Sequence, residues 1–321
     1  MTAQVFIDGE AGTTGLQIRA RLEARADVRL IRLADEERKD SAARARALNA
    51  ADLAILCLPD AAAREAVTLI DNPDTRVIDA STAHRTDPDW VYGFPEMDAE
   101  QTAKVAAAKR VSNPGCYSTG AIALLRPLVS GGLLPRDFPV TVNAVSGYSG
   151  GGKGLIRRYE DPAAPDRLSN AYRAYALRLA HKHLPEMQVH GGLDETPLFL
   201  PAVGNYHQGM LVQVPLQLWA LPGKPTPDAL RERLTAHYAG QDFVSVAGAA
   251  ETAAREDLDP EGLNGTNAMR LYVFGNSAGD QALLVAVLDN LGKGASGAAV
   301  QNMNLMLGLE PAAGLDQRLA A

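Results

Sequence analysis

The chain has 321 residues, of which 46% are hydrophobic and 21% are charged, and its formal net charge at pH 7 is -7. This length exceeds the range in which one hydrophobic core usually suffices, so two domains are expected. The composition is that of a soluble globular protein, and the acidic balance argues against nucleic acid as a partner.

The start of the chain and the cysteine content bear on the compartment. Met1 leads within a few residues into the strand-like segment QVFID, without the basic and apolar regions of a signal peptide. No apolar run approaches the roughly 18 residues of a membrane span, and two cysteines form no disulfide framework. We therefore expect a cytoplasmic protein with no membrane partner.

The first third of the chain alternates short apolar runs with helical stretches. The runs are AQVFID, VRLIRLA, ADLAILCL and RVIDA, and the segments between them carry Ala, Arg and Leu at helical spacing. Strands separated by helices of this length predict βαβ units and a parallel sheet.

From about residue 138 the pattern changes to longer strand candidates, namely FPVTVNAVSG, GMLVQVPLQLW, MRLYVFG and QALLVAVLDN. Their partial alternation of apolar with polar residues favours a mixed or antiparallel sheet. Between them, a helix is predicted from Thr226, its N-terminal cap, to Gly240. The predicted fold class is α/β, with a Rossmann-type dinucleotide-binding domain and an α+β catalytic domain whose mixed sheet is largely antiparallel.

The turn after the first strand, VFIDGEAGTTG, places Gly9, Gly12 and Gly15 around Thr13 and Thr14. A glycine-rich turn at a helix N-terminus lets the pyrophosphate of a dinucleotide approach the backbone N–H groups. The G-x-x-G-x-x-G spacing is less specific than G-x-G-x-x-G, so its position between strand and helix carries the prediction. The alternative is a glycine-rich turn that binds nothing.

The end of the second strand bears on the choice of dinucleotide. Sites that prefer NAD usually carry an acidic residue there, whereas VRLIRLA ends without one, although Asp35 follows closely. Arg38 and Lys39 lie just beyond and are candidates to bind a 2′-phosphate. This pattern predicts NADP (NADPH) as the cofactor, with a solvated charged turn as the alternative.

The two cysteines have different local sequences. Cys57 lies in the apolar run LAILCLPD, where a small hydrophobic residue is expected, so we interpret it as structural. Cys116 follows an Asn-Pro-Gly turn in SNPGCYSTG and precedes a predicted helix. The positive end of a helix dipole favours a thiolate. Cys116 is therefore the candidate nucleophile, although an inert cysteine in a turn would look similar.

A nucleophilic cysteine needs a base, and the segment HKHLPE contains two histidines and a carboxylate. His181 and His183 are both candidates; if the segment is helical, they point to different faces and at most one reaches the thiol. Glu186 could orient the imidazole as the third group of a triad does. No Cys or Asp cluster completes a metal site around the pair, so no metal is expected.

Further candidates lie at a strand end and before the cysteine. Ser81, His84 and Arg85 belong to DASTAHR, at the predicted end of a strand where parallel sheets bind ligands. They are candidates to hold the anionic groups of a substrate, with a satisfied turn as the alternative for each. The amide of Asn113 is a candidate donor to the substrate oxyanion.

The segment DNLGKGASGAAVQN follows the last predicted strand and opens the last helix. Lys293 and Gly294 offer a cation and exposed N–H groups to an anion or to the nicotinamide ribose. The helix that follows, from about residue 295 to 308, is predicted to return to the cofactor domain. The predicted domains are therefore 1–115 plus about 292–321 for NADP, and 116–291 for catalysis, substrate binding and oligomerisation.

The motifs SNPGCYSTG, HKHLPE, SGYSGGGK and NLGKGASGAAVQN, in this order, resemble those of the N-acetyl-γ-glutamyl-phosphate reductase family in its shorter bacterial form. The resemblance covers essentially the whole chain, but Ser118 stands where the family usually has proline. It implies NADPH-dependent reduction of N-acetyl-γ-glutamyl phosphate to N-acetylglutamate semialdehyde and phosphate, in arginine biosynthesis. The reaction would pass through a thioester on Cys116, with one of the two histidines as acid/base.

The resemblance also implies that the loop 144–154, with Ser146 and Gly147, lies near the nicotinamide, and that the protein is a homo-oligomer, a dimer or tetramer. Its partner would be a small-molecule acyl phosphate. One alternative is a related reductase acting on aspartyl or aminoadipyl phosphate. The other is an inactive Rossmann-like binding or regulatory protein.

Overall fold

The computed structural model describes residues 2–315. Within this range the chain forms two compact units. The first unit contains the described residues up to Gly115 and those from Ala295 onward, and the second unit is Cys116–Gly294. The C-terminal end of the predicted cofactor domain, residues 316–321, lies outside the described residues.

Strands and α-helices alternate along most of the chain. The strands are β1 Ala3–Asp8, β2 Val28–Ile31, β3 Leu53–Leu56, β4 Arg76–Asp79, β5 Val91–Tyr92, β6 Arg110–Ser112, β7 Thr141–Gly147, β8 Tyr172–Ala174, β9 Leu198–Gly204, β10 Met210–Gln217, β11 Val244–Val246, β12 Met269–Gly275 and β13 Gln281–Leu288. The α-helices are α1 Thr13–Leu22, α2 Ser41–Ala50, α3 Asp60–Thr68, α4 Gln101–Ala107, α5 Cys116–Ser130, α6 Gly152–Glu160, α7 Leu184–Gly191, α8 Pro227–His237, α9 Ala249–Ala253 and α10 Gly297–Met306.

The first unit is built on a six-stranded sheet in the order β2-β1-β3-β4-β6-β5. Its strand pairs are parallel, as the βαβ pattern of the sequence predicts. Along β1, Val5 and Ile7 face a core shared with α1, α4 and α10, whereas Phe6 faces a core shared with α2 and α3. Helices therefore cover both faces of the sheet, which explains its continuous apolar strands.

The second unit is built on a seven-stranded sheet in the order β11-β12-β13-β10-β7-β9-β8. The pairs β11–β12 and β7–β9 are parallel and the others are antiparallel, so the predicted mixed, largely antiparallel sheet is confirmed. Helix α5 packs on one face closely enough that a Cβ on Gly120 would lie 2.8 Å from Val212. The helix predicted after Thr226 is confirmed as α8, and the Thr226 hydroxyl accepts a hydrogen bond from the Ala229 N–H.

None of the helices within residues 2–315 combines the length and the apolar character that crossing a membrane requires.

Candidate active site

The three glycines of the glycine-rich turn in the first unit differ in their surroundings. Gly9 has a φ of +86°, and a Cβ there would lie 2.4 Å from the Cys57 carbonyl oxygen. A Cβ on Gly15 would lie 2.7 Å from the Cα of Glu10. Gly12 precedes α1, and the nearest atom to its Cβ position is 3.4 Å away. Turn formation and packing thus account for Gly9 and Gly15, and Gly12 leaves the backbone open to a ligand, which fits a dinucleotide pyrophosphate.

A cavity of about 560 Å³ opens beside this turn. It is lined by Gly9 to Ala11 and by the segment after β2, including Arg38 and Lys39. The Arg38 guanidinium lies 2.7 Å from a Glu10 carboxylate oxygen and 2.8 Å from one of Asp35. The two predicted cations therefore lie where an adenosine ribose would enter a Rossmann fold, although carboxylates already contact Arg38.

Sequence reasoning missed Arg32 as a cofactor-binding candidate. Arg32 is the first residue after β2 and lines the same cavity. It occupies the position where NAD-preferring proteins usually carry an acidic residue, and its guanidinium lies 3.9 Å from Glu10. The sequence signal for Arg32 was its position at the end of the second strand. It was missed because the whole run VRLIRLA, which extends past Arg32, was taken as the strand.

Cys116 is the first residue of α5, a helix that continues to Ser130. The thiol is partly exposed and not in a disulfide. A negative charge on Cys116 is among the causes that raise the pKa of Tyr117 and Tyr175, after the larger effect of burial. A helix N-terminus and two phenol groups therefore surround the predicted nucleophile.

The predicted histidine pair precedes a helix instead of lying within one, since α7 begins at Leu184. The expectation that His181 and His183 point to different faces required a helical segment, so it does not apply. Their ring centroids lie 4.7 Å apart at an angle of 82°, and each lies 5.9 Å from the ring of Tyr117, the residue after Cys116. Both histidines thus pack against the residue that follows the cysteine.

His183 and Glu186 are both buried, at 5% and 1% exposure. The His183 Nε2 lies 3.9 Å from a Glu186 carboxylate oxygen, an ion-pair distance that is too long for a hydrogen bond. The Ser118 hydroxyl, at the position of the family's usual proline, donates a long hydrogen bond of 3.4 Å to the His183 carbonyl. The second unit therefore brings all four predicted catalytic residues into one part of its structure.

Tyr117 and Tyr175 were also missed from the sequence. The Tyr175 hydroxyl lies 3.2 Å from the Nε2 of His181, and the Tyr117 hydroxyl donates to the Ala202 carbonyl at 2.9 Å. Tyr117 had a signal, because it is the neighbour of the cysteine. Tyr175 has no such signal, because it follows a short edge strand far from Cys116 in sequence.

The sequence suggested that Cys57 lies within the third strand, whereas in the structure it lies directly after β3. It is partly exposed and packs against the apolar core of the first unit. Desolvation by burial, followed by the charges of Asp79 and Asp8, raises the pKa of the Cys57 thiol to about 12. This thiol is protonated at neutral pH, which agrees with its structural interpretation.

Ser81 and His84 converge on one buried carboxylate at the end of β4. The Ser81 hydroxyl donates to Asp79 at 2.7 Å, and the His84 Nδ1 lies 2.7 Å from the same oxygen. His84 also stacks on Trp90, with ring centroids 4.2 Å apart. The structure gives these residues bonds within the first unit, and their role in substrate binding remains a prediction.

Asn113 has bonds at both backbone and side chain. Its N–H donates to the Asp79 carbonyl at 2.8 Å, and its carbonyl accepts from the Arg85 guanidinium at 2.9 Å. The side-chain Nδ2 donates to the Ala295 carbonyl at 3.0 Å, and the Oδ1 accepts from Asn302. These contacts tie β6 to the start of the last helix, so Asn113 and Arg85 have structural tasks besides the predicted ones.

Lys293 and Gly294 differ in their surroundings. The Lys293 side chain is 1% exposed, and its Nζ lies 5.4 Å from the centroid of the Phe243 ring, a cation–π arrangement. Its predicted role toward an anion or the nicotinamide ribose remains a prediction. A Cβ on Gly294 would lie 2.8 Å from the Cys116 Cβ, so this glycine packs directly against the predicted nucleophile.

Ser146 and Gly147 end β7, and the loop that follows contains several of the glycines predicted to lie near the nicotinamide. A Cβ on Gly147 would lie 2.6 Å from the backbone of His207 and Gln208. Packing therefore requires this glycine, whereas Gly152, with a φ of +71°, has open space around its Cβ position.

Two family models match the chain. Residues 4–105 match the NAD binding domain of semialdehyde dehydrogenases, and residues 116–290 match their dimerisation domain. Solved structures agree: aspartate semialdehyde dehydrogenase II from Vibrio cholerae has a TM-score of 0.69 at 16% identity, over 96% of this chain and 99% of that one. The enzyme from Candida albicans with NADP has a TM-score of 0.62 at 11% identity, with the same coverage. The fold and the matched domains are thus those of the semialdehyde dehydrogenase class.

Similar sequences narrow this class. An N-acetyl-γ-glutamyl-phosphate reductase from Burkholderia ambifaria is 58% identical over 308 residues, covering 96% of this chain and 97% of the relative. A second protein so named, from Pseudomonas putida, is 56% identical over 307 residues with the same coverage. The chain belongs to the N-acetyl-γ-glutamyl-phosphate reductase family.

Proposed function

We propose that this chain catalyses the NADPH-dependent reduction of N-acetyl-γ-glutamyl phosphate to N-acetyl-L-glutamate 5-semialdehyde and phosphate. The observation that carries this proposal is the position of Cys116, at the first residue of α5 and next to Tyr117, whose ring contacts both histidines. High identity to reductases of this name supports the acetylglutamyl substrate over an aspartyl or aminoadipyl phosphate.

Cys116 and a histidine carry the covalent chemistry. The histidine takes the thiol proton, and the thiolate attacks the acyl carbon of the substrate. The C–S bond forms as the C–O bond to phosphate breaks, and phosphate leaves without needing a proton. After reduction of the resulting thioester, the C–S bond breaks, the aldehyde leaves and the thiolate is restored.

The first unit carries residues that fit the dinucleotide. Gly12 leaves room for the pyrophosphate, and Arg32, Arg38 and Lys39 line the cavity beside it. When bound, NADPH supplies the hydride that reduces the thioester. Helix α1 would add the dipole of its N-terminus, with Thr13 and Thr14 in the first turn. We assign the first unit to cofactor binding and the second to catalysis, with the Ser146–Gly147 strand end on the nicotinamide side.

Substrate choice is tested in the reverse direction. The purified protein is offered N-acetylglutamate semialdehyde, aspartate semialdehyde or aminoadipate semialdehyde, each with NADP⁺ and phosphate, and NADPH formation is followed. We expect kcat/KM to be at least about 100-fold higher for the acetylated substrate, a difference of about 2.7 kcal/mol. Equal or higher kcat/KM with either other aldehyde would overturn the assignment.

Cofactor choice is tested by binding of 2′,5′-ADP in calorimetry, which needs no turnover. We expect R32A and R38A each to weaken binding about tenfold, because each removes a charged partner of the 2′-phosphate. R29A is the matched control, since Arg29 is exposed on β2 and does not line the cavity. Unchanged affinity in both cavity variants would show that the two arginines do not bind the 2′-phosphate.

We further propose that the protein is a cytoplasmic homo-oligomer, a dimer or tetramer assembled through the second unit. The match to a dimerisation domain over residues 116–290 supports assembly. So do the exposed leucines near the β9–β8 end of the sheet, among them Leu177 at 77% and Leu198 at 44% exposure. Two free cysteines suit a reducing compartment. Light scattering on the purified protein measures the assembly directly, and a monomer would refute it.

A further inference from the structure

We propose that His181 and Tyr175 form a hydrogen-bonded positioning relay, and that His183 alone carries the proton during catalysis. The proposal rests on the function proposed above, because it assigns roles around Cys116. It distinguishes between two histidines that the sequence leaves equivalent. The relay residues act through His183, so they are positioning residues and not catalytic ones.

The hydrogen bonds of His181 determine its tautomer. Its Nδ1 accepts the backbone N–H of His183 at 3.1 Å, so this nitrogen carries the lone pair. The proton of the neutral ring is then on Nε2, which lies 3.2 Å from the Tyr175 hydroxyl and donates to it. Both ring nitrogens of His181 are therefore engaged within the protein.

This arrangement opposes protonation of His181. A second proton would sit on Nδ1 and face the N–H of His183, so that two donors would meet and the bond would be lost. That bond holds the residue just before the first turn of α7. A general acid/base must gain and lose a proton in each cycle, and His181 cannot do so while the bond is intact.

Tyr117 packs beside this relay, with its ring centroid 5.9 Å from that of His181. Its hydroxyl donates to the Ala202 carbonyl on β9 at 2.9 Å, which fixes the ring against the sheet. Burial raises the pKa of Tyr175 to about 12, with a smaller contribution from charge on Cys116, so this hydroxyl keeps its proton at neutral pH.

The backbone between Tyr175 and His181 is bent to make this contact. Ala176 and Leu179 have φ values of 53° and 56°, in the left-handed region that residues with a Cβ seldom occupy. The Leu179 N–H donates to the Ala176 carbonyl at 2.9 Å and closes the bend. Such conformations cost free energy and cluster at functional sites. Here the bend brings the phenol to the imidazole.

His183 is the residue that this assembly positions. Its backbone N–H is held by His181, and its ring packs against the rings of His181 and Tyr117. The relay engages the backbone of His183 and not its ring, so the imidazole is oriented without its nitrogens being used in the relay. Its Nε2 lies 3.9 Å from the Glu186 carboxylate, which favours the protonated ring when it forms.

Two readouts test the relay: the pH dependence of turnover and the pH dependence of Cys116 alkylation by iodoacetamide. H183N should lower kcat about 1,000-fold and move the half-maximal alkylation rate to higher pH. H181L should lower kcat more than about tenfold without moving either pH midpoint, because the acid/base is still present but displaced. H181N, whose amide oxygen can accept the His183 N–H, should recover most of this loss, to within about threefold of the parent.

Y175F removes a single hydroxyl and is the mildest variant. We expect a loss of about fivefold in kcat with unchanged pH midpoints, the effect of one hydrogen bond. Y172F is its matched control, because Tyr172 lies on the same short strand region and is 62% exposed. Thermal unfolding of each variant shows whether it is folded, and Y175F tests the relay if H181L is not.

Two results would overturn the proposal: H181N moving the pH midpoints as H183N does, or H181L and Y175F both matching the parent in kcat. The alkylation series needs no acyl phosphate and no nucleotide. If the protein failed to reduce N-acetyl-γ-glutamyl phosphate, the proposed function would fall, and the alkylation midpoints would still show which histidine titrates with the thiol.

Discussion

The two cysteines lie in regions that differ in their surroundings. Both residues are partly exposed and neither forms a disulfide. Cys57 follows a parallel strand and lies near the carboxylates of Asp8 and Asp79, which add to desolvation in raising its pKa. Cys116 begins α5, and the ring of the next residue, Tyr117, contacts the imidazole of His181. Desolvation and nearby carboxylates on one side, and a helix N-terminus on the other, therefore separate an inert thiol from a candidate nucleophile.

The contrast between the cysteines fails if turnover requires Cys57 and not Cys116. C116S should lower turnover by at least about 10,000-fold, since the thioester cannot form, while NADPH binding persists. C57A should retain turnover within about threefold. Steady-state rates and calorimetric NADPH titration measure both. Residual turnover of C116S near that of the parent would end the thioester mechanism, and loss of NADPH binding together with turnover would point to misfolding, in which case C116A replaces it.

Alkylation tests the difference in thiol chemistry directly. A pKa of about 12 leaves Cys57 with about one thiolate in 100,000 at pH 7. The greater nucleophilicity of a basic thiolate offsets part of this deficit, so we expect iodoacetamide to label Cys116 about 100 times faster. Peptide mass spectrometry over time gives both rates. Faster labelling of Cys57 would contradict the assignment.

A glycine packed against Cys116 gives a further test of this contrast. A Cβ on Gly294 would lie 2.8 Å from that of Cys116, so G294A should displace the thiol and lower kcat about tenfold or more. G248A is the matched control, because nothing lies within 4 Å of its Cβ position. Equal kcat in both variants would show that Cys116 tolerates displacement.

The smallest expected effect is on alkaline stability. The pKa of Cys57 in the folded protein lies above the ordinary thiol value of 9.0, so the folded protein keeps a proton that the unfolded chain releases. Stability from this group is complete below about pH 9 and falls as pH rises towards 12. Between pH 9 and 10 the parent should lose about 1 kcal/mol more unfolding free energy than C57A. Urea unfolding at both pH values measures this difference, and parallel losses would argue against the raised pKa.

Local patterns in the sequence were sufficient for the main elements. The run AQVFID predicted β1 over its full length, and the cap at Thr226 predicted α8, because periodicity and capping are properties of neighbouring residues. The turn before Cys116 likewise placed that residue at the start of a helix. Two-residue and three-residue strands such as β5 and β8 carry no periodicity and were missed.

The candidate site was less accessible to sequence reasoning, because its contacts join distant segments. Tyr175 meets His181 only through a backbone bend at Ala176 and Leu179, residues whose types give no sign of a left-handed conformation. The burial of Lys293 over Phe243 was unpredictable for the same reason. Arg32 could have been predicted from the sequence, but it was missed because the second strand was assumed to extend beyond it.

The return of the last helix to the first unit has a consequence for biosynthesis. Val300, Met303 and Met306 of α10 share one core with Val5 and Ile18, which the ribosome makes before the whole second unit. Part of one face of the parallel sheet therefore stays uncovered until α10 has been synthesised. The core of the first unit is completed only after the second unit has been made, and a nascent chain cut short before α10 would present part of this apolar core to chaperones and proteases.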